Sequence, residues 1–372
     1  LKGYRIQPLV LPSLDCTAFP LSITESQRIN TAFEKVVLPE VESWIPSVLG
    51  KKVIKIFSDM AVDEIAQYRF VQNWFCINSK TFVNGKSIFL SNYPKGPIMA
   101  AAANFCAVNK LKYVAVQHGL ARELVNKPVN QINYEHNLST TFACFSEISK
   151  DITSSSDSFC AKDVEVVSVG LPSDYKRVSA RWPNCWNSRV LVVGRFYSKG
   201  YRFNGGFFAS DVENYSNECK FVATIENAYN GVVIYKPYPS QRYLDRDRLQ
   251  GLSADWLYQD LRYIIGRFSI IVTQGATSTL GWCMCSSLPL VFINPDEETL
   301  RLKESLLTDF ANSFFVFDAR DPDFYIKLTE FFGTASTELI ESLWSEKSYF
   351  RKQFLERFFE HKPIDEFLER LY

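Results

Sequence analysis

The stretch YVAVQHGL (113–120) passes from an apolar run into Gln, His and Gly, and its His118 is one of only three histidines in 372 residues. An imidazole titrates near neutral pH, so a histidine at such a place can bind or deprotonate a hydroxyl. Gly119 has no Cβ and lets a ligand or an opposing domain come close to the backbone. The alternative for His118 is a strand-end histidine bonded to a backbone carbonyl. Arg122 and Glu123 follow within one helical turn. They are either groups for a carboxylate or sugar hydroxyl or an exposed ion pair.

Two further stretches share this form. KPYPS (236–240) closes the apolar run GVVIY, and Lys236 there offers a point charge to a phosphate, with Tyr238 able to stack or donate beside it. The bland alternative is a solvated loop lysine next to turn prolines. TQGATST (273–279) follows SIIV. Gly275 frees a tight turn, and Thr277, Ser278 and Thr279 bring hydroxyls to the N–H groups of a following helix, which together make an anion site. A plain helix cap is the alternative. The lysine of GxxxxGK[ST] is missing, which excludes a Walker-type phosphate loop. Three carboxylates complete the set. Asp59, after VIKIFS, reads as a strand-end carboxylate that competes with His118 as general base. Glu297 and Glu298, after VFINPD, suit the first turn of a helix.

Positioning these groups needs strands that end where the polar residues begin. VIKIF (53–57), FVQNWFCIN (70–78), SIFLSN (87–92), YVAV, TTFACFSE (140–147) and VEVVSVG (164–170) read as strands. The Ala-rich run 100–108 reads as a closely packing helix. A restart follows the low-periodicity segment 171–188, taken as a linker: RVLVVG (189–194), GVVIYKPYP, SIIVTQG, LPLVFIN (288–294) and FFVFD (314–318) read as strands, with helices near 253–265 and from TSTLGWCMC. Apolar strands without polar alternation, separated by helices, predict parallel sheets covered on both faces. In such sheets ligands sit beyond the carboxyl ends of the strands. The expected architecture is therefore α/β: two Rossmann-like domains facing a cleft, at 1–180 and 181–335. Helices at 336–372 are expected to pack back on the first domain.

Composition limits the function. With 41 basic and 41 acidic residues, the chain has no global field to hold a polyanion, so nucleic acid is not an expected partner. Nine cysteines, odd in number and irregularly spaced, fit free thiols in a reducing compartment, hence a cytoplasmic location. No Cys or His cluster has metal-ligand spacing, so no metal site is expected. The longest apolar run, PIMAAAANFCAV, has the length of a buried helix rather than a membrane span. The chain begins with Leu, which leaves any targeting signal unread.

QHG in the first half with KPYPS and TQGATST in the second resembles the GT-B glycosyltransferases of bacterial capsule and lipopolysaccharide synthesis, in particular sialyltransferase-like and Kdo-transferase-like enzymes. Those use a His-Pro motif at a donor-domain strand end and a Ser/Thr-rich turn for the nucleotide phosphate. Here Lys236 stands where their histidine would, and Thr277, Ser278 and Thr279 match the turn. The resemblance implies an inverting glycosyltransferase with a nucleotide-sugar donor, a CMP-sugar first and UDP, GDP or TDP sugars as alternatives. It also implies a surface glycan acceptor, peripheral work at the inner membrane face, and no cofactor beyond the donor. It assigns His118 or Asp59 as base. Lys236, Tyr238, Gly275, Thr277, Ser278 and Thr279 become phosphate-side residues, and Glu298 the acceptor from the ribose hydroxyls. Transfer of a polyol phosphate or pyruvyl group and a non-catalytic binding protein on the same layers are the rival readings.

Overall fold

The computed structural model describes residues 20–43, 45–83, 87–91, 96–120, 122–126, 138–154, 164–179, 188–194, 211–238, 252, 254–334 and 337–358. Two parallel sheets organise them. The first has four strands in the order β1 (Phe89–Ser91), β2 (Tyr113–Val116), β3 (Thr141–Cys144) and β4 (Glu165–Ser168). Each strand pairs in parallel with the next, for example Val114 with Thr141 and Cys144 with Ser168. β3 is buried at all four positions and β2 at three, which is why their sequences run apolar without alternation.

Before β1 lies a helical region: α1 (Ile23–Ala32), α2 (Leu38–Glu42), α3 (Ser47–Ile77) and α4 (Ser79–Val83). VIKIF and FVQNWFCIN are therefore not strands; the first lies inside the 31-residue α3 and the second is its end, with Asn78 as the C-cap. Short apolar runs do not distinguish strand from helix, and here the four-residue recurrence of buried Gly50, Ile54 and Ser58, then of Val71 and Phe75, belongs to a helix. The Ala-rich segment forms α5 (Gly96–Val108) as expected. Its small Ala101 and Ala102 allow close packing, and Phe105 stacks on Phe75 of α3 with centroids 4.9 Å apart. β3 leads into α6 (Glu147–Ser154).

The second sheet has the order β10 (Phe315–Asp318), β9 (Leu290–Asn294), β8 (Ile270–Gln274), β5 (Arg189–Val193), β6 (Val232–Lys236) and β7 (Asp255–Trp256), all parallel. α8 (Asp211–Ala228), α10 (Ser278–Cys285), α11 (Glu304–Ser313) and α12 (Phe324–Thr334) connect and cover the strands. The helix expected near 253–265 is instead the two-residue edge strand β7 and the single-turn α9 (Leu261–Ile264), because Asp255 and Trp256 pair with Ile234 and Tyr235 at the sheet edge.

Segment 171–188 is more than a linker. Its Ser173–Ser179 portion is a helix, α7, and Tyr175 and Val178 are buried in the same core as the second sheet. The tail also differs from expectation. α13 (Thr337–Glu346) and α14 (Ser348–Glu356) lie against the second sheet's layer, where Phe354 meets Phe310 and Phe314 with centroids 5.4 and 5.9 Å apart. Apolar faces at helical spacing bury most area against that aromatic layer. Residues 359–372 lie outside the described ones.

Candidate functional site

The carboxyl ends of the two sheets meet at β2 and β8. After Val116 the chain turns through Gln117, His118 and Gly119. After Gln274 it turns through Gly275, with φ +72°, into α10. A Cβ built at Gly119 would lie 2.9 Å from Ser278 Cα and press on its side chain. Reciprocally, a Cβ at Gly281 would lie 2.8 Å from Leu120 Cβ. Each turn thus needs a glycine for the other's approach. Of the two neighbours that Gly119 admits, a ligand or an opposing domain, the first turn of α10 is the one found there. An opposing element, rather than a ligand, occupies the space.

The chain after Gly119 belongs to the second core. Leu120, Leu124 and Val125 are buried with the second sheet's residues. Val125 bridges Leu302, the Lys303 amide donates to the Leu124 carbonyl at 2.8 Å, and the Asn126 amide donates to the Arg301 carbonyl at 3.2 Å. Tyr175 stacks flat on Trp282 of α10, with centroids 3.6 Å apart and 5° between planes. Arg262 joins Asp260 and Asp174 across the same boundary.

His118 lies open to solvent while its neighbours Gln117 and Gly119 are buried. The protein mass around it still lowers its pKa by desolvation. That desolvation favours the neutral imidazole, the form that accepts a proton. Gln117 is 2% exposed and bonded on every side of its amide: its Oε1 accepts from the Phe145 amide at 2.9 Å, and its Nε2 donates to the Gly119 carbonyl and to Glu123 Oε1, each at 2.8 Å. Arg122 and Glu123, expected as ligand groups or an exposed pair, are each 1% exposed and form neither. Arg122 covers the Phe142 ring at 4.4 Å and donates to Thr153 Oγ1 at 2.6 Å. Glu123 also accepts from Ser149 Oγ, and burial raises its pKa.

On the other side, Thr277 holds the cap position of α10, yet its side chain makes no capping bond. The plain-cap alternative thus fails for Thr277. Thr277, Ser278 and Thr279 are half-buried, and the first-turn N–H groups of a helix have no intrahelical acceptor. Gly275 packs against Leu300, and the Ala276 amide donates to the Leu300 carbonyl at 2.8 Å, so the loop carrying Glu298 abuts the turn. Glu298 itself accepts from Asn126 Nδ2 at 2.8 Å and pairs with Arg320 at 3.2 Å. Its carboxylate joins the two halves of the chain as well as facing outward.

Lys236 is 3% exposed, so it is not a solvated loop lysine. It is the last residue of β6. Arg262 hydrogen bonds hold Asp260 below the usual carboxylate range, and the Lys236 charge adds to this. Burial pushes Cys283 of α10 up to about 12 against the same Lys236 charge. Tyr238 is half-buried two residues further on. Asp59 stands apart from all these groups. It is on α3, not at a strand end, with its side chain 59% exposed and paired to Lys55 at 3.1 Å. Among the described residues no His, Cys, Asp and Glu group has the form of a metal site, and no helix is long and apolar enough to cross a membrane.

The sequence pointed to both turns but not to their contact, nor to the Tyr175–Trp282 stack. Gly281 inside an apolar helix was the available signal, since a mid-helix glycine often marks close packing.

Two parallel-sheet α/β domains whose strand ends meet in this way form a GT-B-like fold. The chain is similar to the solved structures of Arabidopsis thaliana UGT89C1, complexed with UDP (TM-score 0.51, 14% identity, 84% of this chain and 79% of that one) and with quercetin (TM-score 0.50, 11% identity, the same coverage). At such identities the likeness is one of fold. No protein-family model matches the chain, and no curated protein does.

Proposed function

We propose that the chain is an inverting glycosyltransferase that takes a sugar from a nucleotide-sugar donor, a CMP-sugar first, to a hydroxyl of a surface glycan. The observation that carries this reading is the contact of the His118–Gly119 turn with the hydroxyl-rich start of α10, at the carboxyl ends of both sheets. The contact brings Gly119, the neighbour of His118, against Ser278 at a helix start of the kind that suits an anion, which supports this reading. UGT89C1 holds UDP in a fold of this kind, which fits a nucleotide-bound donor here.

In the proposed reaction the acceptor oxygen bonds to the anomeric carbon while the bond from that carbon to the donor phosphate oxygen breaks. The acceptor proton passes to His118. The departing electron pair stays on the phosphate, held by the α10 amides and the hydroxyls of Thr277, Ser278 and Thr279. Lys236 adds a buried positive charge at the end of β6, and preorganised groups of this type act most strongly away from bulk water. Glu298 serves the ribose from the rim, and Tyr238 lies on the nucleotide side. Asp59 drops behind His118 as base.

The test is calorimetric titration with CMP, UDP, GDP and TDP, followed by a transfer assay with the sugar of whichever binds. Saturable binding of CMP in preference to the others is expected. A preference for UDP changes the donor and keeps the reaction. If none of the four binds, the reading is wrong.

A further inference from the structure

His118 has to present its ring to a substrate while the residues on either side of it are fixed in the protein, and the structure holds a device that does this. Gln117 bonds simultaneously to the end of β3, through the Phe145 amide at 2.9 Å, and to the carbonyl of Gly119 at 2.8 Å. Its third bond, at 2.8 Å, is to Glu123, which is itself tied to α6 by Ser149. The amide thus pulls residue 119 inward on one side of His118, while the Cα face of Gly119 is pressed against Ser278 on the other. With 117 and 119 both anchored, the 118 side chain is left one direction, outward.

The geometry points to Gln117 as a positioning residue: through its bond to the Gly119 carbonyl it sets the direction of the His118 ring. This rests on the reading of His118 as the base and goes beyond it. Nothing about Gln117 touches the reacting atoms. Its three bonds span β2, β3 and the segment that enters the second core, and none of them reaches α10.

Gln117→Met keeps the length and removes all three bonds. The variant should bind the preferred nucleotide within about twofold of wild type, because the α10 start is untouched, yet turn over more slowly by on the order of 10²-fold, the effect of a displaced catalytic group. Two readouts separate positioning from general loosening. The pH profile of the variant should keep an inflection, shifted upward, whereas His118→Ala should lose it. Independently of any activity, NMR titration of the three histidines, with His118 assigned through His118→Ala, should show its pKa rising toward the ordinary value as the ring turns away from the protein groups that desolvate it. Should Gln117→Met fail to fold, Gln117→Asn, which retains the amide but falls one methylene short, is expected to show the same pattern. An unchanged His118 titration in a folded variant overturns the inference, whatever the substrate proves to be. So does a loss of turnover matched by an equal loss of nucleotide affinity. Absence of transfer by the wild-type protein, with the His118 shift present, would instead leave the positioning role standing and overturn the transferase reading.

Discussion

The two sheets are packed on different terms. The second is covered by one continuous apolar core that runs from Val190 to Phe358 and takes in Leu120, Leu124, Phe145 and Tyr175 from the first half of the chain. The first sheet is served by three smaller groups, of which the largest joins Val71, Phe75 and Phe105 at the α3–α5 contact. The carboxyl end of β2 is therefore held less by its own domain than by the second one. The proposed base therefore sits on a segment anchored in the second core, beside the start of α10.

The largest expected effects test the division directly. His118→Ala should leave nucleotide binding in place and reduce turnover by roughly 10² to 10⁴, the range for a positioned general base. Steady-state kinetics across pH is the measurement, and near-wild-type turnover with the same pH dependence would remove His118 from the chemistry. Phe75→Ala probes the other side of the comparison. Truncating a fully buried phenylalanine costs about 3–5 kcal/mol. Because Phe75 belongs to the separate α3–α5 group, the loss should appear in denaturant unfolding while nucleotide affinity stays constant. A parallel fall in affinity would mean that the two cores act as one.

Gly119→Ala should come next. The added methyl meets Ser278 backbone and side chain, and overpacking of this type costs about 1–3 kcal/mol. Unlike Phe75→Ala, it should affect stability and nucleotide affinity together, since it separates the turn from α10. Equal stability of variant and wild type would show that the junction opens freely.

Much of this arrangement was readable in advance, and the limits were physical. β2, β3, β5, β8 and β9 are short runs buried on both faces between turn residues, a pattern that favours a strand of a parallel sheet. VIKIF has the same letters, yet inside α3 only Ile54 of it is buried while Ile56 and Phe57 are exposed, and reading it as a strand puts Asp59 at a strand end it does not occupy. The polar turns at 117–119 and 275–279 stood out through their abrupt change of chemistry. Their meeting did not, because residues 119 and 278 are far apart in the chain, and only the paired glycines Gly119 and Gly281 record the contact. Burial of Arg122 and Glu123 was likewise hidden: an adjacent Arg-Glu pair has the same letters at a surface as in a core.

The smallest expected effect concerns that buried carboxyl. Glu123 is 1% exposed, with Oε1 shared by Gln117 and Ser149 and Oε2 without a hydrogen-bond partner. Desolvation raises its pKa, while the Gln117 bond and the charges of Arg122 and Lys303 act in the opposite direction and do not prevail. A carboxyl whose folded pKa lies above its unfolded value favours the fold fully below the unfolded pKa, and that contribution is lost as pH rises through the folded pKa. Glu123→Gln keeps an oxygen for Gln117 and Ser149 and cannot ionise. Wild type and variant should therefore have the same unfolding midpoint near pH 4, and the variant should gain on the order of 1 kcal/mol by pH 8, where the wild type must bury a charge. Denaturant titrations at the two pH values measure this. A variant that loses stability at pH 8 would show that Arg122 and Lys303 hold Glu123 as a working ion pair, and the first sheet would then be fastened to the second core by charge rather than by packing.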